Sequence, residues 1–159
     1  MVKKRLGTDV RQNQIAEAAM EIVRGAGIRA LNVAAVAEKV GIVPSAVYRH
    51  FKNKSEIVSA VLQLIQTHLN AHSQGVIKLD VEPVEKLSLL LNQHIELIAS
   101  NNAIPQMIFS EAVLGGMPEK QQQFYGIIRD VIRNVSAIVI EGQKKGSIRN
   151  DLPAANIAV

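Results

Sequence analysis

Apolar residues recur at helical spacing along nearly the whole chain, interrupted by Gly, Pro and Asn. Ile15, Ala18, Ala19, Ile22, Val23 and Ala26 form one stripe at three- and four-residue steps. They predict a first helix that Gly25 and Gly27 close. Val33, Val36, Ala37 and Val40 fall at i, i+3, i+4 and i+7 of a second helix. Asn32 stands where a side-chain oxygen can accept from a first-turn N–H, and Gly41 ends the helix in the left-handed conformation. Pro44 suits the first position of a short third helix, where its missing N–H is no loss. Val47 and Phe51, four apart, face inward together, which leaves Ser45, Ala46, Arg49 and part of Tyr48 outward. Asn53 with Glu56 three residues on reads as a capping box for the next helix.

That helix runs from Lys54 to about Ser73 and carries Ile57, Val58, Val61, Leu62, Leu64, Ile65 and Leu69 on more than one face. It is therefore packed from two sides and connects a head to a body. Gln74 to Glu82, with Gly75, reads as a loop. Pro83 opens a helix to about Ser100, with Leu87, Leu91, Ile95 and Ile98 on its inner side. Pro105 opens a shorter one carrying Met107, Ile108, Ala112 and Val113, stopped at Gly115-Gly116. Pro118 opens a long helix through Lys145, about 42 Å at 1.5 Å per residue. Phe124, Ile127, Ile128, Val131, Ile132, Val135, Ile138 and Val139 give it a broad apolar face, Lys144 and Lys145 complement its C-terminal dipole, and Gly146 ends it. Asp151-Leu152-Pro153-Ala154 reads as the start of another helix. No segment keeps a two-residue alternation, so the fold class is all-α.

Residues 32–56 outline a helix-turn-helix DNA reader. The second helix of the pair is too short and too poor in apolar residues for an ordinary core helix. Small residues at its start allow close approach to base edges in a major groove. Tyr48 and His50 offer an O–H and an N–H toward phosphates. Lys54, with the free N–H groups of its helix start, attracts another. The charge pattern agrees: residues 1–55 hold 10 Lys and Arg against 4 Asp and Glu, whereas residues 56–159 hold 8 against 10. The basic excess sits with the reader, as a phosphate footprint requires. Lys3, Lys4 and Arg5 form a basic arm that either touches DNA or is simply solvated.

Over residues 9–60 the chain resembles the TetR family of bacterial transcriptional regulators. The likeness rests on Ile15-Ala16-Glu17-Ala18-Ala19, on Gly25-Ala26-Gly27 before Asn32-Val33, on Val36-Ala37 through Gly41, and above all on Tyr48-Arg49-His50-Phe51-Lys52-Asn53-Lys54. It implies a three-helix DNA-binding head over residues 1–55 and a helical effector-binding and dimerising body over residues 56–159. It further implies a homodimer on a palindromic double-stranded operator, and repression relieved by a small molecule of unspecified identity. Asn32 matches a position that caps its helix and touches phosphate, and Tyr48, His50 and Lys54 match phosphate-contacting and bracing positions. Val43, Pro44, Ser45 and Ala46 fall where the family's base contacts arise. Here the chain departs from the pattern, since none of the four is Gln, Asn or Arg. Methyl contacts, Ser45 and DNA shape must then carry more of the readout. Arg49 reaches either a guanine or a phosphate. Bodies of this family usually continue with two further helices, so either the chain is cut short at its C-terminus, as expected here, or it dimerises differently.

Composition narrows the remaining classes. Apolar residues are 48% and aromatics 3%, so the core is aliphatic. The absence of Cys removes disulfides, thiol nucleophiles and Cys-ligated zinc. Met-Val-Lys-Lys-Arg begins like a signal peptide, but no apolar stretch follows. Nothing approaches about 18 continuous apolar residues, so no membrane partner is expected and a cytoplasmic protein follows. No nucleophile–base–orienter set and no Gly-rich phosphate loop stand out, so the chain is not read as an enzyme, and no cofactor is expected. Glu17 and Glu21 read as helix-surface charges. His94 shares a helix side with Leu87, Leu91 and Ile98 and either meets a ligand or bonds a backbone carbonyl. Ile98, Met107, Phe109, Phe124 and Ile127 are candidates for the same cavity, whose aliphatic walls suit an apolar or amphipathic effector. His68 and His72 have metal-ligand spacing without an evident third ligand. The alternative function is an all-α protein–protein module without effector.

Overall fold

A computed structural model describes residues 7–100, 102–110 and 118–159. Among these, every regular element is helical: α1 (Thr8–Ala26), a 3₁₀ turn (Ile28–Ala30), α2 (Val33–Val40), α3 (Pro44–Tyr48), α4 (Lys54–Ile77), α5 (Pro83–Ser100), α6 (Ala103–Ile108), α7 (Pro118–Lys145) and α8 (Ala154–Ile157). The all-α expectation holds. The basic arm Lys3-Lys4-Arg5, and Ala112, Val113 and Gly115-Gly116, lie outside the described residues.

The chain divides into two compact units. The first comprises residues 1–65 and 101–123. Its core is aliphatic but for Phe51, as the composition leads one to expect: Ile15, Ala19 and Val23 of α1, Leu31, Val36 and Ala37, Val47 of α3, Phe51, and Ile57, Val58, Val61, Leu62 and Ile65 of α4 are all buried. Helix α6 adds Ala103, Ile104 and Met107 and packs on α1. It begins at Ala103, two residues before Pro105, and Pro105 sits in its first turn, where proline costs no internal hydrogen bond. Gly25 stays inside α1; Gly27, at φ 82°, is the residue that ends it. Glu21 of α1 pairs with Lys39 of α2 at 2.8 Å, a solvated bridge that holds the Glu21 carboxyl below the usual range.

The second unit comprises residues 66–100 and 124–159. Its apolar core joins Val76 of α4, Leu90 of α5 and Ile138 of α7, flanked by Ile77, Leu87, Leu89 and Val135. Val76 explains why α4 runs to Ile77 rather than stopping near Ser73. Its burial outweighs the roughly 1 kcal/mol that Gly75 costs inside a helix, so the expected loop at Gln74 is one more helical turn. A polar ladder runs between α4 and α7. Gln66 and Asn70 donate to Asp130 Oδ2 at 2.6 and 3.1 Å, Asn134 donates to Asn70 Oδ1 at 3.1 Å, and Gln74 donates to Asn134 Oδ1 at 3.4 Å. The hydrogen bonds from Asn70 and Gln66, and then the charge of Arg133, hold the Asp130 carboxyl below its ordinary value.

Of the expected inner stripe of α5, Leu87 packs against this unit's core but the other three residues do not. Leu90 is 1% exposed, whereas Leu91, Ile95 and Ile98 are 60, 54 and 49% exposed. The buried line is Pro83, Lys86 and Leu90, one step round the helix from the expected stripe. Lys86 disguises it, because a lysine normally marks a solvated face. Here its ammonium donates to Glu141 Oε2 at 2.8 Å and to the Ile77 carbonyl at 3.1 Å, so it can be buried.

The hydrogen bond from Lys86, then that from Lys145, depress the Glu141 pKa. The folded-state value lies below the unfolded one. The stabilisation is therefore complete at neutral pH and is lost as pH falls through the depressed value. Glu141→Gln is expected to lower the melting temperature at pH 7, with the difference from the parent vanishing in acid. A difference that stays constant across the acid titration would refute this assignment.

Candidate nucleic-acid interface

The helix pair is built from short-range hydrogen bonds that fix the entry to α2 and the turn into α3. Asn32, in extended backbone, accepts from the Ala35 N–H at 2.9 Å and caps α2; its amide also donates to the Ala30 carbonyl at 3.1 Å. Both ends of this side chain thus brace the entry to α2. Gly41 adopts the left-handed conformation at φ 72°, ψ 39°, and the Ile42 N–H returns to the Ala37 carbonyl at 2.9 Å. That closure turns the chain within three residues, and Pro44 starts α3. Val47, fully buried, anchors α3, and Phe51 anchors the exit.

The opposite side of α3 is open. Val43, Pro44 and Ser45 are exposed and Ala46 partly so. Val43 occupies the cap position of α3 but makes no side-chain cap bond. Tyr48 and Arg49 are exposed, and His50 is half-buried with its Nδ1 enclosed and without a partner among the described residues. Asn53 Oδ1 accepts from the Glu56 N–H at 2.9 Å, the first half of the expected capping box. The second half lands one residue early, with Glu56 Oε2 accepting from the Lys52 N–H at 2.7 Å. Lys54 is exposed but donates to the Ile28 carbonyl at 3.3 Å, so it ties the start of α4 to the 3₁₀ turn while keeping its charge on the surface. All nine residues singled out in the sequence for DNA contact belong to this first unit, and eight of them lie in one run between Val43 and Lys54. Lys52, also exposed, was not singled out; its position beside Arg49 and Lys54 in a basic head was the available signal.

The six effector candidates are more scattered. Met107 and Phe109 belong to the first unit, the former buried and the latter exposed. His94, Ile98, Phe124 and Ile127 belong to the second, where Ile127 is buried, Phe124 partly buried and Ile98 exposed. His94 is half-buried and its Nε2 is enclosed without a partner among the described residues. Burial, and then the neighbouring His72, lower its pKa and favour the neutral imidazole. His68 and His72 are exposed, and no group of three or more His, Asp or Glu suited to a metal occurs among the described residues. No described helix is long and apolar enough to cross a membrane.

Known proteins share this architecture. The family model described as bacterial regulatory proteins, tetR family, matches residues 15–61, which span α1 through the first turns of α4. The fatty acid metabolism regulator protein of Bacillus subtilis is 24% identical over 139 residues, covering 87% of this chain and 71% of its own. The HTH-type transcriptional regulator TtgR of Pseudomonas putida is 27% identical over 151 residues, covering 92% and 72%. Among solved structures, the transcriptional regulator FadR from Bacillus subtilis in complex with stearoyl-CoA superposes with a TM-score of 0.76 at 23% identity, covering 91% of this chain and 77% of that one.

Proposed function

We infer, from a chain that belongs to the TetR family of bacterial regulatory proteins, that it represses transcription by binding a palindromic operator as a homodimer and leaves it when a small molecule binds the body. One observation carries the DNA reading. A short helix, turned out by Gly41 and anchored only by Val47, presents Val43 to Ser45 on the basic end of the chain, flanked by Tyr48, Arg49, Lys52 and Lys54. In a two-fold dimer such helices enter successive major grooves about 34–36 Å apart. Arg49 follows α3 at its C-terminal end rather than at its start, which favours a phosphate over a guanine as its partner.

The effector reading rests on the aliphatic character of the chain and on the Bacillus subtilis neighbour, which holds stearoyl-CoA. A fatty acyl thioester, with a long apolar chain and an anionic head, is the ligand class that we assign. The test is selection of bound duplexes from a random pool, followed by challenge of the winning complex with medium- and long-chain acyl-CoAs. Recovery of one palindromic sequence, released by acyl-CoA and not by free CoA, is the expected result. Failure to enrich any duplex would overturn the DNA reading. Release by no acyl thioester would overturn the effector class alone.

A further inference from the structure

We propose that this reader selects its operator through the 5-methyl groups of thymine, with Val43 as the side chain that meets them. The inference rests on the DNA-binding reading above and names the chemistry by which that interface chooses a sequence.

Three observations carry it. Val43 is 63% exposed and lies directly before α3, whose buried anchor is Val47. Only two other large apolar residues between 7 and 65 are exposed, Val10 on α1 and Tyr48, and neither is an aliphatic side chain at the start of α3. The residues beside Val43 lack the groups that read other bases. Pro44 has no N–H, Ser45 offers one hydroxyl, and Ala46 offers a methyl; adenine is normally read by Asn or Gln and guanine by Arg or Lys. Among base edges in the major groove, thymine alone presents an apolar group. An exposed aliphatic residue on a basic DNA-facing surface is therefore matched to it.

The experiment replaces thymine by uracil, one symmetric pair at a time, in the duplex selected from the random pool. Uracil keeps the Watson–Crick edge and removes only the methyl. Losing one buried methyl is expected to weaken binding about three- to fivefold per half-site. A two-fold symmetric operator with both copies changed would then lose about nine- to twenty-fivefold at one pair of positions. Val43→Ala, which removes both γ-methyls and leaves the core and every cap bond intact, should reduce that discrimination to under about twofold, whereas Val43→Ile, which keeps a branched aliphatic side chain, should preserve most of it. Unchanged affinity at every uracil substitution would overturn the proposal while leaving DNA binding established. Discrimination that persists in full in Val43→Ala would overturn the assignment to Val43. An absence of any selected duplex would defeat the underlying DNA reading, and this inference with it.

Discussion

Leu90→Ala is expected to cost about 2–5 kcal/mol of unfolding free energy, and Leu91→Ala, one residue further on, less than about 0.5 kcal/mol. The two substitutions remove the same atoms from adjacent positions of α5. They differ only in what those atoms touch. Leu90 is enclosed by Val76 of α4 and Ile138 of α7, so truncation leaves a cavity that these neighbours fill only in part. Leu91 is solvated, so truncation removes apolar surface from water and leaves no cavity. Urea titration of both variants at matched protein concentration reads the difference directly. Comparable losses would mean that the Leu91 face is covered in solution, and a dependence of the Leu91→Ala loss on concentration would identify a second copy of the chain as the cover.

The same pair of residues shows where sequence reasoning stops. Residues 86–91 contain Leu at 87, 89, 90 and 91, so apolar side chains point to several sides of the helix and the period does not select one. What selects it is the partner of Lys86. Glu141 lies 55 residues away, and no local pattern links the two. Asn70, Asp130 and Asn134 tell the same story: each reads as an ordinary surface polar residue until α4 and α7 are placed side by side. The helix pair was legible for the opposite reason. The Asn32 cap, the Gly41 reversal and the Pro44 start satisfy backbone groups within a few residues, so their chemistry is contained in a short string. Even there the capping box shifted, because Glu56 reaches the Lys52 N–H rather than that of Asn53. The effector candidates are marked only by composition and helix face, with no local hydrogen-bond pattern to tie them together, and they fall into both compact units.

Operator affinity is expected to fall several hundredfold to about a thousandfold between roughly 50 and 200 mM monovalent salt, the largest effect foreseen for this protein. Arg49, Lys52 and Lys54 are exposed around α3 and the start of α4. If two or three of them neutralise phosphates in each half of a dimer, about four to six counterions are released, and log K falls with log salt at a slope of about −4 to −5. Lys54→Ala should make the slope shallower by about 2 in the dimer and weaken every duplex to a similar degree, since a phosphate contact carries no sequence information. Tyr48→Phe should also weaken all duplexes, but without changing the slope, because a neutral phenol displaces no counterion. Lys54 has a second role, tying α4 to the Ile28 carbonyl. A melting curve of Lys54→Ala therefore belongs beside the binding data: a shallower slope with an unchanged melting temperature assigns the residue to phosphate. A flat salt response of the parent would mean that the basic excess of residues 1–55 is not what holds the DNA.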